Sequence, residues 1–196
     1  MPERKAATDR KTKETDIHAE MSLDGAGACR VTCGVGFLEH MLELFARHGR
    51  FDLTVEARGD VEVDDHHTVE DLGIVLGTLI DDALGDRAGI TRFGCAAVPM
   101  DEALAEVAID LSGRGGLVFN AEFAQEKVGT YDTTLTSSFF QAVASNARMT
   151  LHVNVPYGED GHHITEAIFK AFARALAEAV EIDPRTEGVP STKGTL

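Results

Sequence analysis

The sequence contains two copies of a motif made of two adjacent histidines and a glutamate. Residues 66–70 read HHTVE and residues 162–166 read HHITE, an offset of 162 − 66 = 96 positions. Residues three and four apart lie on the same side of a helix, so each copy brings two imidazoles and one carboxylate together around one turn. Imidazole and carboxylate are common ligands of transition metals. The repeated motif therefore predicts metal binding.

The spacing of the histidines bears on the number of ions. Adjacent helical residues point about 100° apart, so neighbouring histidines suit two ions, or one ion with a ligand from elsewhere, better than a shared ion. A two-metal arrangement is the natural interpretation. A mixed nitrogen and oxygen shell accepts zinc, iron or manganese, and six-coordinate manganese is favoured when oxygens and an open position complete it. A single HHxxE motif could instead be an exposed helix start, but two copies, each preceded by acids, argue against that alternative.

Four other histidines differ in what their positions predict. His40 lies on the polar side of a predicted helix, from which it could reach a metal. His152 lies inside a predicted strand, and its role stays open. His18 in a strand and His48 at a helix C-terminus, where positive charge is favoured, are interpreted as structural.

Four cations occupy positions at which an anion could be held. Arg92 stands at the entry of a predicted strand, Arg114 in a glycine-rich turn, Lys170 one turn beyond the second motif, and Lys193 near the C-terminus. In an acidic protein, an arginine in a glycine turn favours phosphate or carboxylate binding. The alternative for any one of these cations is a solvated surface charge.

The overall composition limits the class of protein. The 196 residues include 18 lysines and arginines against 33 aspartates and glutamates, which gives a formal net charge of −15. This charge argues against nucleic acid as a partner, because phosphate backbones require a basic surface. A hydrophobic content of 43% is typical of a folded protein rather than a disordered chain.

Three observations indicate a cytoplasmic protein that binds no membrane. The first sixteen residues contain no apolar run and do not resemble a secretory signal. The longest apolar stretch, residues 72–80, is too short to span a bilayer and predicts a buried helix. Cys29, Cys33 and Cys95 cannot all pair, and the first two would lie roughly 13 Å apart in a strand, so we expect free thiols in a reducing compartment.

The elements around the motifs also occur twice. A helix and then a strand precede each HHxxE helix, at residues 37–45 and 51–55 in the first half and 135–147 and 149–155 in the second. Further strands are predicted at residues 92–98, 102–111 and 117–123, separated by turns at 99–101 and 112–116, with counterparts near 16–23 and 28–33. Four helices and at least seven strands predict an internally duplicated α+β protein that packs as one unit.

Six segments of the chain together resemble one enzyme family. They are GVGFLEHML at 34–42, DDHHTVED at 64–71, PMDEAL at 99–104, LSGR at 111–114, HHITE at 162–166 and GVPSTKG at 188–194. In this order, within a match over residues 10–194, they closely resemble the imidazoleglycerol-phosphate dehydratases of histidine biosynthesis.

The resemblance implies a particular fold and assembly. Helices would be sandwiched between two four-stranded sheets, in repeats like the second domain of ribosomal protein S5. The first repeat would take residues 1–90 and the second 91–182, and a tail at 183–196 would contribute to the phosphate site. Trimers would assemble into a 24-subunit shell, with two Mn²⁺ ions at each active site between subunits.

The resemblance also implies roles for individual residues. Carried over by position, the metal ligands would be His40, His66, His67, Glu70, His162, His163 and Glu166. The phosphate contacts would be Arg92, Arg114, Lys170, Ser191 and Lys193. Glu14 would be the catalytic acid/base and would also contact the substrate.

Three positions depart from the family's pattern. Glu39 stands where aspartate is usual, and Cys33 stands where threonine is common. In the helix that corresponds to that of His40, Ser138 stands where some members carry a metal-binding histidine. Water or His152 could fill that place in the metal shell.

The implied reaction is loss of water from imidazole glycerol phosphate to give imidazole acetol phosphate, and two other functions fit the same residue types. A two-metal phosphatase would also combine paired ions with cationic phosphate contacts, and it would release inorganic phosphate. A metal-storage or shell-forming protein would use the motifs to buffer ions, but it would not need the cations that hold an anion.

Overall fold

Four helices and ten strands make up the fold of residues 3–196. The computed structural model describes residues 3–196, and residues 1 and 2 lie outside the described part. The helices are α1 (Gly36–Gly49), α2 (His66–Leu84), α3 (Leu135–Asn146) and α4 (Gly161–Val180). The strands are β1 (Lys5–Lys11), β2 (Thr15–Ser22), β3 (Cys29–Thr32), β4 (Asp52–Gly59), β5 (Phe93–Met100), β6 (Ala103–Asp110), β7 (Gly116–Asn120), β8 (Lys127–Val128), β9 (Tyr131–Asp132) and β10 (Thr150–Tyr157).

The two halves of the chain form sheets of the same topology. Sheet 1 has the order β1-β2-β4-β3, and sheet 2 has the order β5-β6-β10-β7. In each sheet the last pair of strands is parallel and the others are antiparallel. The predicted internally duplicated α+β fold is therefore confirmed. A short hairpin of β8 and β9 is added in the second half.

All four helices lie between the two sheets. Helices α1 and α2 pack on sheet 1, α3 and α4 pack on sheet 2, and the layers meet where α1 contacts α4 and α2 contacts α3. Strand β2 alternates buried and exposed residues, as expected for a strand with one face on the core. The core is one continuous cluster that draws on both halves, so neither half buries its apolar face alone.

The helices that contact each other run parallel. His40 and Glu166 are neighbours near the starts of α1 and α4, and Phe45 stacks on Phe172 further along both helices, with ring centroids 5.5 Å apart.

The pair of α2 and α3 is also parallel. A Cβ on Gly73 would lie 2.6 Å from the Phe139 carbonyl oxygen, and one on Gly77 would lie 2.7 Å from that of Val143. The ring of Phe37 in α1 lies 5.1 Å from that of Tyr131, which hydrogen-bonds Thr136 in α3. All four N-termini therefore face one end of the molecule.

Several elements differ from the sequence-based prediction. Strand β1 was not predicted, because it is an edge strand of mostly charged residues whose inward face is only half-buried. The β8–β9 hairpin was also missed, since two-residue strands carry no periodic pattern. The segment 99–101 was predicted as a break between strands, yet Pro99 and Met100 belong to β5 and the turn is Asp101–Glu102. Proline is tolerated there because β5 is an edge strand.

Two further predictions concern membrane-spanning helices and the state of the cysteines. Residues 72–80 lie inside α2, and among residues 3–196 no helix is both long enough and apolar enough to cross a bilayer. All three cysteines are unpaired, as expected. Burial raises the pKa of the Cys33 thiol to about 12, so this thiol stays protonated.

We predict that Gly77→Ala destabilises the fold. Its Cβ would lie 2.7 Å from the Val143 carbonyl oxygen and 2.8 Å from Asn146 Cβ, so α2 and α3 would have to move apart. The overpacking should outweigh the better helix propensity of alanine and cost roughly 1–2 kcal/mol, which lowers the melting temperature by roughly 2–8 °C in calorimetry. Gly36→Ala, at a helical position with no atom near its Cβ, is the control and should leave the melting temperature unchanged.

Candidate metal centre

One glutamate and two histidines meet where α1 packs against α4. Glu166 Oε2 lies 3.4 Å from His40 Nε2 and 3.2 Å from His162 Nε2. Candidate ligand atoms of all three residues lie within 4.8 Å of one another, so one ion can be reached by all of them. Two imidazole nitrogens and one carboxylate oxygen fit manganese, zinc or iron. These three residues are called the α1/α4 cluster below.

The α1/α4 cluster has a buried acid and an open side. The Glu166 side chain is only 8% exposed, whereas His40 and His162 are 44% and 40% exposed. Lys170 Nζ lies 2.6 Å from Glu166 Oε1. Burial pushes the pKa of Glu166 up, but the Lys170 ammonium and the two imidazoles outweigh burial and hold that pKa below its ordinary value. Glu166 is therefore ionised, as a metal ligand must be.

Acidic side chains fix the helix ends that carry the histidines. Asp160 Oδ1 accepts a 2.8 Å hydrogen bond from the His162 N–H, and Asp64 Oδ1 accepts one of the same length from the His66 N–H. Asp160 is the N-cap of α4, whereas Asp64 lies one residue before the N-cap of α2, and both satisfy a free N–H group in a first helical turn. Glu39, which replaces the usual aspartate, accepts hydrogen bonds from the Cys33 and Gly34 N–H groups and so fixes the entry to α1.

The first HHxxE motif is less complete within one chain. His66 Nε2 lies 3.8 Å from Glu70 Oε2, and the two Asp60 oxygens lie 3.0 and 3.2 Å from His67 Nδ1. The hydrogen bond that the His67 imidazole donates to the Asp60 carboxylate raises the pKa of His67. Ser138, the counterpart of His40, brings no ligand atom. Among residues 3–196 the α1/α4 cluster is the one group in which three donors could share an ion.

The second histidine of the later motif contacts acids rather than the α1/α4 cluster. His163 Nδ1 lies 2.7 Å from Glu102 Oε2, and Nε2 lies 3.5 Å from Asp101 Oδ2. The hydrogen bond that the His163 imidazole donates to the Glu102 carboxylate raises the pKa of His163. His152, the other histidine considered for a metal shell, lies in β10 with an exposed side chain, between the outward-facing residues Ala108 and Val118. That face of sheet 2 is turned away from the helices, so His152 does not reach Ser138 within this chain.

Two acids near the histidines were missed by sequence reasoning. Glu102 belongs to a segment that carries the family resemblance, but its residue type gave no indication of its partner. Asp60 gave no indication of its role either, although it lies only seven positions before His67, and the turn after β4, in which the Val63 N–H donates to the Asp60 carbonyl oxygen, leads back to the start of α2. The pairing of β2 with β4 places Glu14 nearby, since the Asp60 N–H donates to the Glu14 carbonyl oxygen at 3.1 Å. The Glu14 side chain is exposed there.

Most of the predicted phosphate contacts lie at another end of the fold. The Arg92 guanidinium pairs with Asp110 at 2.7 Å, donates to the Pro190 carbonyl oxygen at 2.8 Å and lies over the Phe93 ring. The tail that carries Ser191 and Lys193 passes this point, and its last residue reaches the glycine-rich turn of Arg114, where Gly113 contacts Leu196.

The number of residues along α4 gives the distance between Arg92 and the α1/α4 cluster. The Arg92 N–H donates to the Ala179 carbonyl oxygen, and Ala179 lies 179 − 166 = 13 residues beyond Glu166 on the same helix. At 1.5 Å per residue this separation is roughly 20 Å. Lys170 is the one predicted phosphate contact that lies beside the cluster. A single chain therefore does not bring the whole predicted site together.

The geometry defines a duplicated α+β protein with a candidate metal centre at its helix N-termini, and comparisons with known proteins identify the family. The profile of the family described as imidazoleglycerol-phosphate dehydratase matches residues 33–176. The chain belongs to the imidazoleglycerol-phosphate dehydratase family, whose members are hydro-lyases of histidine biosynthesis.

Individual relatives match over nearly the whole chain. The imidazoleglycerol-phosphate dehydratase of Halalkalibacterium halodurans is 58% identical over 193 residues, which cover 98% of this chain and 100% of that protein. The one from Geobacter metallireducens is 55% identical, with coverage of 98% and 99%. The crystal structure of the Staphylococcus aureus dehydratase superimposes with a TM-score of 0.84 at 44% identity, and covers 91% of this chain and 99% of its own. A Pyrococcus furiosus structure gives 0.84 at 34% identity, with coverage of 96% and 100%.

We predict that Glu166→Gln weakens metal binding. The amide carries no charge to attract a cation, and Lys170 loses its ion-pair partner beside the ligands. We expect the affinity for Mn²⁺ to fall by at least about tenfold. The measurement titrates the protein with Mn²⁺ and follows free Mn²⁺ by electron paramagnetic resonance. Glu43→Gln, on an exposed part of α1, is the control and should bind like wild type. Unchanged affinity in Glu166→Gln would contradict the assignment of this cluster.

Proposed function

We propose that this chain catalyses the dehydration of imidazole glycerol phosphate to imidazole acetol phosphate with two Mn²⁺ ions per active site. The α1/α4 cluster carries the proposal, because it offers two imidazoles and an ionised carboxylate to one ion. The relatives that match over nearly the whole chain are named for this reaction. The cytoplasm is the expected location for a biosynthetic enzyme with three unpaired cysteines.

The chemistry explains why metal ligands are needed. The hydrogen removed from the substrate is not next to a carbonyl, so no enolate can take up the electrons, and the substrate's own imidazole ring must do so. A bound divalent ion supplies Lewis acidity that favours the imidazolate form of this ring. The protein's part is to hold the ions, orient the ring and move protons.

Six of the seven proposed ligands belong to the two HHxxE motifs, and His40 of α1 is the seventh. His40, His162 and Glu166 would hold one ion, and the remaining ligands would be His66, His67, Glu70 and His163. In the first motif Asp60 occupies Nδ1 of His67, which leaves Nε2 as the nitrogen for an ion. With Ser138 opposite this motif, its shell needs donors from another chain. This requirement supports sites between subunits, and the resemblance to the family implies that these subunits form trimers and a 24-subunit shell.

Glu14 is the proposed proton shuttle. It lies in the turn before β2, next to Asp60, and its carboxylate has no hydrogen-bond or ion-pair partner in the described part of the chain. An exposed carboxylate beside the His67 imidazole is free to take a proton from one substrate carbon and return it to another. The Thr12 hydroxyl and the Asp60 N–H hydrogen-bond the backbone of Glu14, so the point from which its side chain extends is fixed.

The proposed phosphate site combines residues from different ends of the chain. Arg92, Arg114, Ser191 and Lys193 lie near the tail at 183–196, whereas Lys170 lies beside the α1/α4 cluster. Joining them around one phosphate requires a neighbouring subunit to bring its tail end to the metal end of this one. The phosphate would then orient the substrate from a point remote from the reacting carbons, which favours rate as well as affinity.

We predict that His67→Ala abolishes the dehydration but leaves the fold intact. The His67 side chain is 40% exposed, so its loss leaves no large cavity. Loss of several kcal/mol of metal-assisted stabilisation corresponds to at least about a 1,000-fold fall in turnover, measured as imidazole acetol phosphate formed with Mn²⁺ present. The control is His18→Ala, on the outer face of sheet 1, which should stay active. Near-normal turnover of His67→Ala would overturn the metal assignment. Release of inorganic phosphate by the wild-type protein would instead indicate that it is a phosphatase.

Removal of metal should reduce the size of the assembly. If ions join ligands of different subunits, dialysis against a chelator breaks those contacts, and light scattering should report smaller oligomers. Mn²⁺ should restore the large particle, whereas Mg²⁺, which prefers oxygen ligands, should not. The same particle mass before and after dialysis would contradict sites between subunits.

A further inference from the structure

Each half of the chain holds the second histidine of its motif with a carboxylate, but the two carboxylates come from different places. His67 is held by Asp60, which directly follows β4. His163 is held by Glu102, which lies in the turn before β6. The duplication therefore preserved the contact and changed its source. This difference assigns a role to Glu102.

Both oxygens of Glu102 are engaged at the start of α4. Oε2 lies 2.7 Å from His163 Nδ1, and Oε1 accepts hydrogen bonds from the N–H groups of Glu159 at 3.1 Å and Asp160 at 2.8 Å. Oε1 already accepts two hydrogen bonds, so Oε2 is the oxygen that faces the His163 ring. A carboxylate in this arrangement accepts hydrogen bonds and does not donate one.

Packing explains why the second half could not use the same solution as the first. Gly158 directly follows β10, as Asp60 directly follows β4. A Cβ on Gly158 would lie 2.6 Å from Ile164 Cγ1 and 3.0 Å from Ala103 Cβ. No side chain fits there without displacing Ile164, so the carboxylate has to come from the neighbouring turn.

The corresponding acid of the first half has a different environment. Glu14 precedes β2 as Glu102 precedes β6, so the two glutamates occupy equivalent positions in the repeats. Because Asp60 already holds His67, Glu14 is not needed for that contact and its carboxylate is free. Glu102 has no substitute and is fully engaged. Equivalent acids have thus become a free carboxylate in one half and a fixed one in the other.

We propose that Glu102 is a positioning residue that fixes the tautomer of His163, with the proton on Nδ1 and the lone pair of Nε2 available to an ion. A carboxylate that only accepts requires the proton on the nitrogen facing it. Ligating histidines commonly have such a partner on the other ring nitrogen. The inference rests on the proposed function, in which His163 is a metal ligand. Asp101, which lies 3.5 Å from Nε2 and is 70% exposed, is the other acid at this imidazole.

Two substitutions at Glu102 separate tautomer control from simple support of the loop. In Glu102→Gln the side-chain oxygen satisfies the two backbone N–H groups, so the amide nitrogen faces Nδ1 and donates to it. The proton of His163 then moves to Nε2, the nitrogen that an ion needs. We expect the affinity for Mn²⁺ to fall about 10- to 100-fold, while the melting temperature of the metal-free protein changes by no more than about 2 °C.

Compared with Glu102→Gln, Glu102→Ala should lower the melting temperature more and the affinity for Mn²⁺ less. It leaves the N–H groups of Glu159 and Asp160 without their acceptor, so the melting temperature should fall more than in Glu102→Gln. His163 is then free to adopt either tautomer, so the affinity for Mn²⁺ should fall less. A residue that only supports the loop would make the alanine variant worse in both measurements, and that result would overturn the inference.

The experiment titrates each full-length variant with Mn²⁺ alone and measures free Mn²⁺ by electron paramagnetic resonance. Glu106→Gln, a nearby exposed glutamate of β6 that pairs with Asn154, is the matched control and should bind like wild type. His163→Ala distinguishes the two claims. If it binds Mn²⁺ like wild type, the ligand assignment of the proposed function fails. If it loses affinity while Glu102→Gln does not, only the tautomer inference fails.

Discussion

The parallel packing of the helices is the constraint on which the site depends. Because α1 runs parallel to α4 and α2 runs parallel to α3, all four N-termini lie at one end of the molecule. Free N–H groups and the positive ends of the helix dipoles favour acids there. Asp64 and Asp160 lie there and accept hydrogen bonds from first-turn N–H groups of the two motif helices. The histidines of the first turns are thereby presented together at the same end.

The duplication supplied two equivalent helix pairs, which have since diverged. The pair of α1 and α4 combines His40 with the second motif and forms a three-donor cluster, whereas the pair of α2 and α3 has Ser138 in the equivalent place. A similar divergence separates Glu14 from Glu102. One chain therefore contains a three-donor cluster at one pair and an incomplete set at the other, and the proposed phosphate contact Arg92 lies roughly 20 Å from the cluster. This division is the reason why sites between subunits are proposed.

The local features of the chain were largely predictable. The two motifs, the duplicated order of elements and the four helices follow from residue spacing, because helical periodicity and short turn signals act over a few residues. Strand β1 and the β8–β9 hairpin were not predictable in this way, since an edge strand with exposed, charged residues lacks the alternation that marks a buried strand. The extension of β5 through Pro99 likewise depended on its place at the edge of sheet 2.

The sequence by itself determined the chemistry of this protein: which residues can bind a metal, which can bind an anion, and which family the chain resembles. Only the tertiary structure decided the partners of those residues. Helix packing joined His40 to Glu166, strand pairing brought Asp60 next to Glu14, and the turn before β6 brought Glu102 to His163. The reason is physical: side-chain type and short-range spacing are written in neighbouring residues, whereas contacts between residues far apart in the chain exist only after the sheets and helices have packed.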